Sequence, residues 1–205
     1  VFLFGSEIVR LLLDEHVLSP TLHARTFSEA IVDQPHLFSG KSVLDVGTGS
    51  GIFAILAAKL GATSVDILDI NEKVIYRAIE NARLNQVNFE KTLVGDWLNV
   101  PPPRKYDVIV SNPSFFIFKD KNRRVLIDLL IAKAPEFLAK SGKLIFVHSS
   151  MAGFEETEQA LARAGFDFVV LKSQRGLFRE DYFREEGFLE YASQVKNGFE
   201  VIDGQ

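Results

Sequence analysis

Four short polar stretches in this 205-residue chain carry side chains that could do chemistry. The first is Asp45 followed by Gly47, Thr48, Gly49, Ser50 and Gly51, within residues 42–52. It closes an apolar run, Val43, Leu44 and Val46, of the kind found in a parallel strand buried on both faces. A strand that turns through three glycines into a helix brings bare backbone N–H groups and a helix N-terminus up to a ligand. Glycine serves there because a side chain would block that approach, and because some positions take positive φ. Asp45, just before the turn, can reach whatever the turn holds. A plain tight strand–helix turn has the same look, and the dinucleotide fingerprint would place its third glycine one position later, at Ile52. The second stretch ends at Asp69, 22 positions after Gly47, near the spacing at which an acidic residue on the neighbouring strand reaches a ribose diol. Its plainer role is an acidic cap on the next helix, where Asn71 and Glu72 also look like helix-start residues. The third is Gly95-Asp96-Trp97, and the fourth is Asn112-Pro113-Ser114-Phe115. An Asn-Pro pair also serves as an ordinary strand-ending turn.

Alternating strands and helices are needed to bring these stretches together. Residues 52–60 read as a buried helix closed by Gly61, residues 64–68 as a second strand and residues 73–85 as a helix with Val74, Ala78 and Ala82 on one face. A third strand over residues 89–94 precedes a stiff loop containing Pro101, Pro102 and Pro103. The fourth strand is expected at residues 106–110, then a helix over 125–138 interrupted near its end by Pro135, and a fifth strand at 143–147 behind a Ser141-Gly142 turn. A helix at 155–164, a sixth strand at 166–171, and a tail with a further helix and a strand at 199–202 complete the pattern. Residues 1–40 read as a helical lead-in or cap, with Ile8, Val9 and Leu11 to Leu13 forming one apolar face and residues 26–32 a second helix. The expected organisation is that cap followed by residues 41–205 as one α/β unit, a doubly wound, Rossmann-like, mostly parallel sheet. Ligands bind such sheets at the carboxyl ends of the strands, near the switch in strand order.

Composition narrows the class. The chain is 47% apolar with a net charge of −4, so no global basic field drives nucleic-acid binding. The lack of cysteine removes disulfides, thiolate metal sites and cysteine nucleophiles, and fits a cytoplasmic protein. No apolar run approaches the roughly 20 residues of a membrane span, and no signal peptide is visible. The chain starts at Val1 rather than Met, which leaves room for an upstream segment. His16, His23 and His36 have no metal-ligand spacing, and His148 reads as a hydrogen-bonded structural histidine. Residues 119–124 form either a local basic rim or the solvated start of a helix.

Taken together, the four stretches resemble the class I S-adenosylmethionine-dependent methyltransferases, over about residues 20–171 and most strongly over 43–115. The resemblance implies that Asp45, Gly47, Thr48, Gly49 and Gly51 hold the methionine and ribose portion of S-adenosyl-L-methionine. Asp69 would take the ribose hydroxyls, and Asp96 would accept from the adenine amine with Trp97 or Ile70 beside the ring. Asn112-Pro113-Ser114-Phe115 is similar to the Asn-Pro-Pro-aromatic motif of N-methyltransferases, with Ser114 in place of the second proline. That group includes release-factor glutamine methyltransferases and the adenine-N6 and guanine-N2 nucleic-acid enzymes. By that likeness the Asn112 side chain and the Pro113 carbonyl would hold the two N–H groups of a planar amide or amine, turning its delocalised lone pair toward the methyl carbon. Phe115 would stack on the flat group, and Asn112 would also border the cofactor. The product would be S-adenosyl-L-homocysteine, and no metal is required. The implied acceptor is a protein glutamine, a nucleobase amine or a small molecule. A catalytically silent cofactor-binding module and a nucleotide-linked oxidoreductase are the competing classes.

Overall fold

The computed structural model describes residues 1–15, 17, 19–113, 124–177, 188 and 190. The first apolar run is not helical. Phe2–Phe4 (β1) and Glu7–Val9 (β2) pair as an antiparallel hairpin with Phe2 opposite Val9. Gly5, at φ 54°, makes the turn that a helix would not need. Aromatic and β-branched residues favour the pleated form, and Phe4 and Val9 are buried in the main core. The lead-in thus shares its core with the sheet. The second expected helix is present and longer, as α1 (Leu22–Val32), with the Thr21 hydroxyl accepting from the Ala24 N–H at 3.4 Å. It packs on the next helix through Phe27 against Phe53, ring centroids 4.7 Å apart.

Five parallel strands follow: β3 (Ser42–Val46), β4 (Ser64–Asp69), β5 (Lys91–Val94), β6 (Tyr106–Ser111) and β7 (Leu138–Phe146), in the order β5-β4-β3-β6-β7. The chain runs outward from β3 through α2 (Ile52–Lys59) and α3 (Glu72–Leu84) to β5, then crosses back to lay β6 on the other side of β3. The order of strands reverses between β3 and β6, which is where a doubly wound sheet opens a crevice. Val43, Leu44, Ile67, Val108, Ile109 and Val110 are buried in its centre, and α2 is buried from Ile52 to Ala57, as expected of a helix apolar all round. One carboxylate sits inside. Asp66 accepts from the Tyr106 hydroxyl at 2.7 Å, from Arg104 at 2.7 Å and from the Lys91 N–H at 2.9 Å. Arg104 is held in turn by Glu90 at 3.0 Å, so the buried charge is paired and its oxygens are occupied. This network pins the proline loop to the start of β6.

Two expected features differ. The Ser141-Gly142 turn lies inside β7 instead of before it. Pairing runs Tyr106 to Leu138 and then jumps to Val108 with Lys143, so Ser141, at φ 64°, belongs to a bulge that absorbs the extra residues. Residues 166–171 form no strand among the described residues. Val169 and Val170 are exposed, because apolar β-branched sequence makes a strand only against a partner, and the segment expected near residues 199–202 lies outside the described residues. So do His16, Ser114, Phe115, residues 119–123 and the tail aromatics Tyr182, Phe183 and Tyr191. The helix α4 (Val125–Phe137) continues through Pro135 and ends two residues later, and α5 (Phe154–Arg163) is the last described helix of more than one turn.

The chain divides into two compact units, residues 1–113 with 133–147, and residues 114–132 with 148–205. In the second, Arg124 donates to the carbonyls of Ala152 and Gly153, to the Thr157 hydroxyl at 2.8 Å and to Asp128 at 2.7 Å. His148 lies with Nε2 2.7 Å from the same hydroxyl and its ring against Phe154. Burial, aided by the Arg124 charge, pushes its pKa down to about 4, so the imidazole is neutral and structural.

Candidate cofactor and acceptor site

Strand register brings the four polar stretches to one end of the sheet. Val46 is paired with Leu68 on one side and with Ser111 on the other, and Asp69 is paired with Val94. The residues that follow these pairs are therefore neighbours: Gly95 and Asp96 after β5, Asp69 at the end of β4, Gly47 after β3 and Asn112 after β6. With strands about 4.8 Å apart, they form a row across the carboxyl ends, and its β3–β6 step is the switch point. Ser111 Oγ donates to the Val46 carbonyl at 2.8 Å, fixing that step.

The glycine turn takes the conformation its composition predicts. Gly47, Gly49 and Gly51 have φ of 67°, 53° and 79°, where other residues are strained. The N–H groups of Gly47 and Thr48 donate to the Leu68 carbonyl at 2.8 and 3.1 Å, which hangs the turn on β4. Among the described residues, a Cβ placed on Gly47 would meet nothing within 4 Å, and one on Gly49 only the Gly47 oxygen at 4.0 Å. The space over these two glycines is open. Gly51 is different, since a Cβ there would lie 3.1 Å from that of Ala78, and its role is close packing of α2 on α3.

Asp45 is fully buried beneath this turn. Oδ2 accepts from Thr48 Oγ1 at 2.9 Å and from the Ala54 N–H, in the first turn of α2, at 3.2 Å. Oδ1 is buried with no hydrogen-bond partner among the described residues. Burial pushes the carboxyl up to about 7, against the two hydrogen bonds, and the nearby Asp69 charge adds to the rise. The folded protein thus keeps a proton that the unfolded chain loses near pH 4. Stability is greatest below that value and is lost as pH rises through about 7. The melting temperature of the ligand-free protein, taken relative to Asp45→Asn, is expected to fall by ~5 °C between pH 5 and pH 8, at roughly 2–4 °C per kcal/mol for a domain of this size. A flat difference across that range would show the carboxyl to be ordinary.

Asp69 is not a helix cap. Asn71 caps α3, accepting from the Lys73 N–H at 3.0 Å. Asp69 instead accepts from the Gly49 N–H at 3.3 Å and the Asn71 N–H at 3.0 Å, so its carboxylate is held against the glycine turn. Asp69→Ala is expected to weaken cofactor binding by about 1–3 kcal/mol, the usual loss for a hydrogen bond to a charged group, while the apo melting temperature barely moves. Asn71→Ala should do the opposite, costing about 1 kcal/mol of stability with affinity kept. Calorimetry and thermal melts on the pair check both halves.

Of the two side chains expected beside an adenine ring, only Ile70 is open, 72% exposed next to Asp69. Trp97 is buried, stacked on Phe137 with centroids 4.1 Å apart. Asp96 accepts from the Leu98 N–H and from Asn99 Nδ2, both at 3.0 Å, which shapes the loop after β5 and leaves the carboxylate partly exposed. Asn112 is half-buried, and no hydrogen bond to its side chain is found among the described residues. Pro113 follows it; Phe115 lies beyond the described residues. The open glycine backbone, the Asp69 carboxylate held against it and the exposed Ile70 together make a cradle that fits an adenosyl group joined to an amino acid, with Asp45 buried beneath it. Asn81, outside every sequence motif, also reaches the turn, its Nδ2 donating to the Ser50 carbonyl at 2.9 Å. Its cue was an asparagine beside the apolar stripe of α3.

Comparison with known proteins identifies the family. The family model of the methyltransferase small domain matches residues 24–177. A Methanocaldococcus jannaschii protein named for protein N5-glutamine methyl transfer is 33% identical over 192 residues, 85% of this chain and 93% of its own length. A ribosomal protein L11 methyltransferase of Lactobacillus gasseri is 35% identical over 157 residues, and the match spans 75% of this chain but only 45% of that enzyme. The crystal structure of the ribosomal protein L11 methylase from Lactobacillus delbrueckii subsp. bulgaricus superposes with a TM-score of 0.64 at 30% identity, covering 80% of this chain and 79% of that one.

Proposed function

Because this chain belongs to the methyltransferase small domain family, we propose that it methylates the side-chain amide nitrogen of a glutamine in a protein substrate. The family's cofactor is S-adenosyl-L-methionine, which supplies a sulfonium-bound methyl group and keeps the C–S electron pair as it leaves. Gly47 and Gly49 give the backbone approach, Asp69 faces the ribose hydroxyls, and Ile70 with Asp96 takes the adenine. Asp45, just beneath the turn, holds Thr48 and the start of α2 in place under the ligand.

An amide nitrogen is a weak nucleophile because its lone pair is delocalised into the carbonyl. Asn112 and the Pro113 carbonyl accept the two N–H groups and so orient the nitrogen toward the methyl carbon. As the N–C bond forms and the C–S bond breaks, the same acceptors stabilise the positive charge growing on nitrogen, which then loses one proton to solvent. Alignment and preorganised dipoles carry the step. The observation that carries the proposal is Asn112, a half-buried amide placed by register beside Gly47 with its hydrogen-bonding groups unspent among the described residues. The near full-length relative named for glutamine methylation and one named for a ribosomal protein support a protein acceptor.

The test is transfer of labelled methyl from cofactor into cell extract, with nuclease and protease digestion and mass analysis of the modified residue. Label released by protease as N5-methylglutamine is the expected result. Label in a nucleobase would move the acceptor to nucleic acid, and cofactor binding without transfer would make the chain a silent module.

A further inference from the structure

The cofactor turn is supported from a direction the sequence did not suggest. Three of its residues have positive φ, so the turn is pliable unless clamped from outside. Two clamps come from β4, the Leu68 carbonyl and the Asp69 carboxylate. The third is on α3. The Ser50 carbonyl needs a partner because Ser50 is buried, and Asn81 Nδ2 provides it. The same amide holds the chain after the hairpin: the Leu12 N–H donates to Asn81 Oδ1 at 2.6 Å, and Asn81 Nδ2 donates to the Leu12 carbonyl at 3.3 Å. One turn along, Asn85 repeats the contact on Arg10, accepting from its N–H at 2.9 Å and donating to its carbonyl at 2.6 Å. Arg77 completes the seam with two bonds to Asp14, at 2.8 and 2.5 Å. Asparagine is a poor residue for the middle of a helix. Asn81 there, and Asn85 four residues on at the C-cap of α3, are both buried and imitate the peptide ladder of a strand for residues 10 and 12, alternate positions of a strap.

We propose that Asn81 is a positioning residue for the cofactor turn, and that through it docking of the strap at residues 10–13 and cofactor binding strengthen each other. The inference rests on the glycine turn being the cofactor site. Its physical content is that one fully buried amide serves two partners. When the strap is docked, the Asn81 rotamer is fixed and its second N–H points at Ser50. When the strap leaves, the amide has lost the partners that fix it, and the turn loses its third clamp. Such coupling is reciprocal.

Calorimetry with S-adenosylhomocysteine on the full chain, well below the melting temperature, reads the effect. Asn81→Ala should raise Kd about tenfold, the scale of one buried hydrogen bond. Asn81→Asp, which keeps the acceptor for Leu12 but loses the donor for Ser50, should raise it by a similar factor. Asn85→Ala, which frees Arg10 and the Asn81 carbonyl but leaves the Asn81 amide on Ser50, should raise it by about threefold. Wild type that binds while Asn81→Ala and Asn81→Asp bind equally well, whatever their melting temperatures, would overturn this inference alone. Wild type that fails to bind would overturn the cofactor reading and this inference with it. Should the Asn81 variants not fold, amide exchange on wild type decides: saturation with S-adenosylhomocysteine slows the Leu12 and Arg10 amides if the coupling exists, and unchanged rates there refute it.

Discussion

Asn112→Ala is expected to lower the methylation rate by about 10²–10³, the scale of losing one preorganised polar contact to the transition state, with affinity for S-adenosylhomocysteine near wild type. The separation follows from placement. In the proposed mode the adenosyl end is held by β4, β5 and the glycine turn, while Asn112 is on the other side of β3, after Ser111. No hydrogen bond to its side chain is found among the described residues, so truncation removes none there, and the apo melting temperature should barely move. Single-turnover measurement of labelled transfer, with calorimetry beside it, separates the two effects. A wild-type rate in Asn112→Ala would end the nitrogen-alignment mechanism and point to a different acceptor atom.

Gly49→Val should cost the protein its cofactor. At φ 53° a β-branched residue is strained, by about 1–2 kcal/mol for the left-handed region, and the fold should survive that. The new side chain would stand in the open space above the turn. Affinity should therefore fall by at least about 3 kcal/mol, roughly a hundredfold or more. Gly51→Val is the matching control, because its Cβ would press on Ala78 at 3.1 Å and the damage should appear first in stability. If Gly49→Val binds S-adenosylhomocysteine as tightly as wild type, the glycines serve only the turn.

The parts of this molecule that were legible in its sequence are those where a local pattern has one physical meaning. An apolar run meeting three spaced glycines had to be a buried strand entering a helix, and Asp69 fell where a second strand must end. Asn112 was readable because strand β6 stops at Ser111 and asparagine follows. The failures share a cause too. Leu11, Leu12 and Leu13 look like a helix face, yet the chain there is held by Asn81 and Asn85 from 69 and 75 residues away. Ser141-Gly142 carries turn chemistry, but pairing with β6 makes it a bulge. Trp97 suits ligand stacking until Phe137 is found against it. Each was decided by a partner distant in sequence, which composition and periodicity do not register.

The reversal of strand order has a consequence for how the chain is made. Val43 pairs with Val65, 22 residues later, and with Val108, 65 residues later. Synthesis from the N-terminus therefore completes β3, β4 and β5, with the glycine turn and Asp69, while β6 is still inside the ribosome. Through that interval one side of β3 has no neighbour, and Val43, Leu44 and Val46 border an open row of peptide groups that a second nascent chain could copy. Closing the longer loop is also the entropically costlier step. The half proposed to grip the cofactor is built first and waits, with β3 uncovered on one side, for the half proposed to present the acceptor.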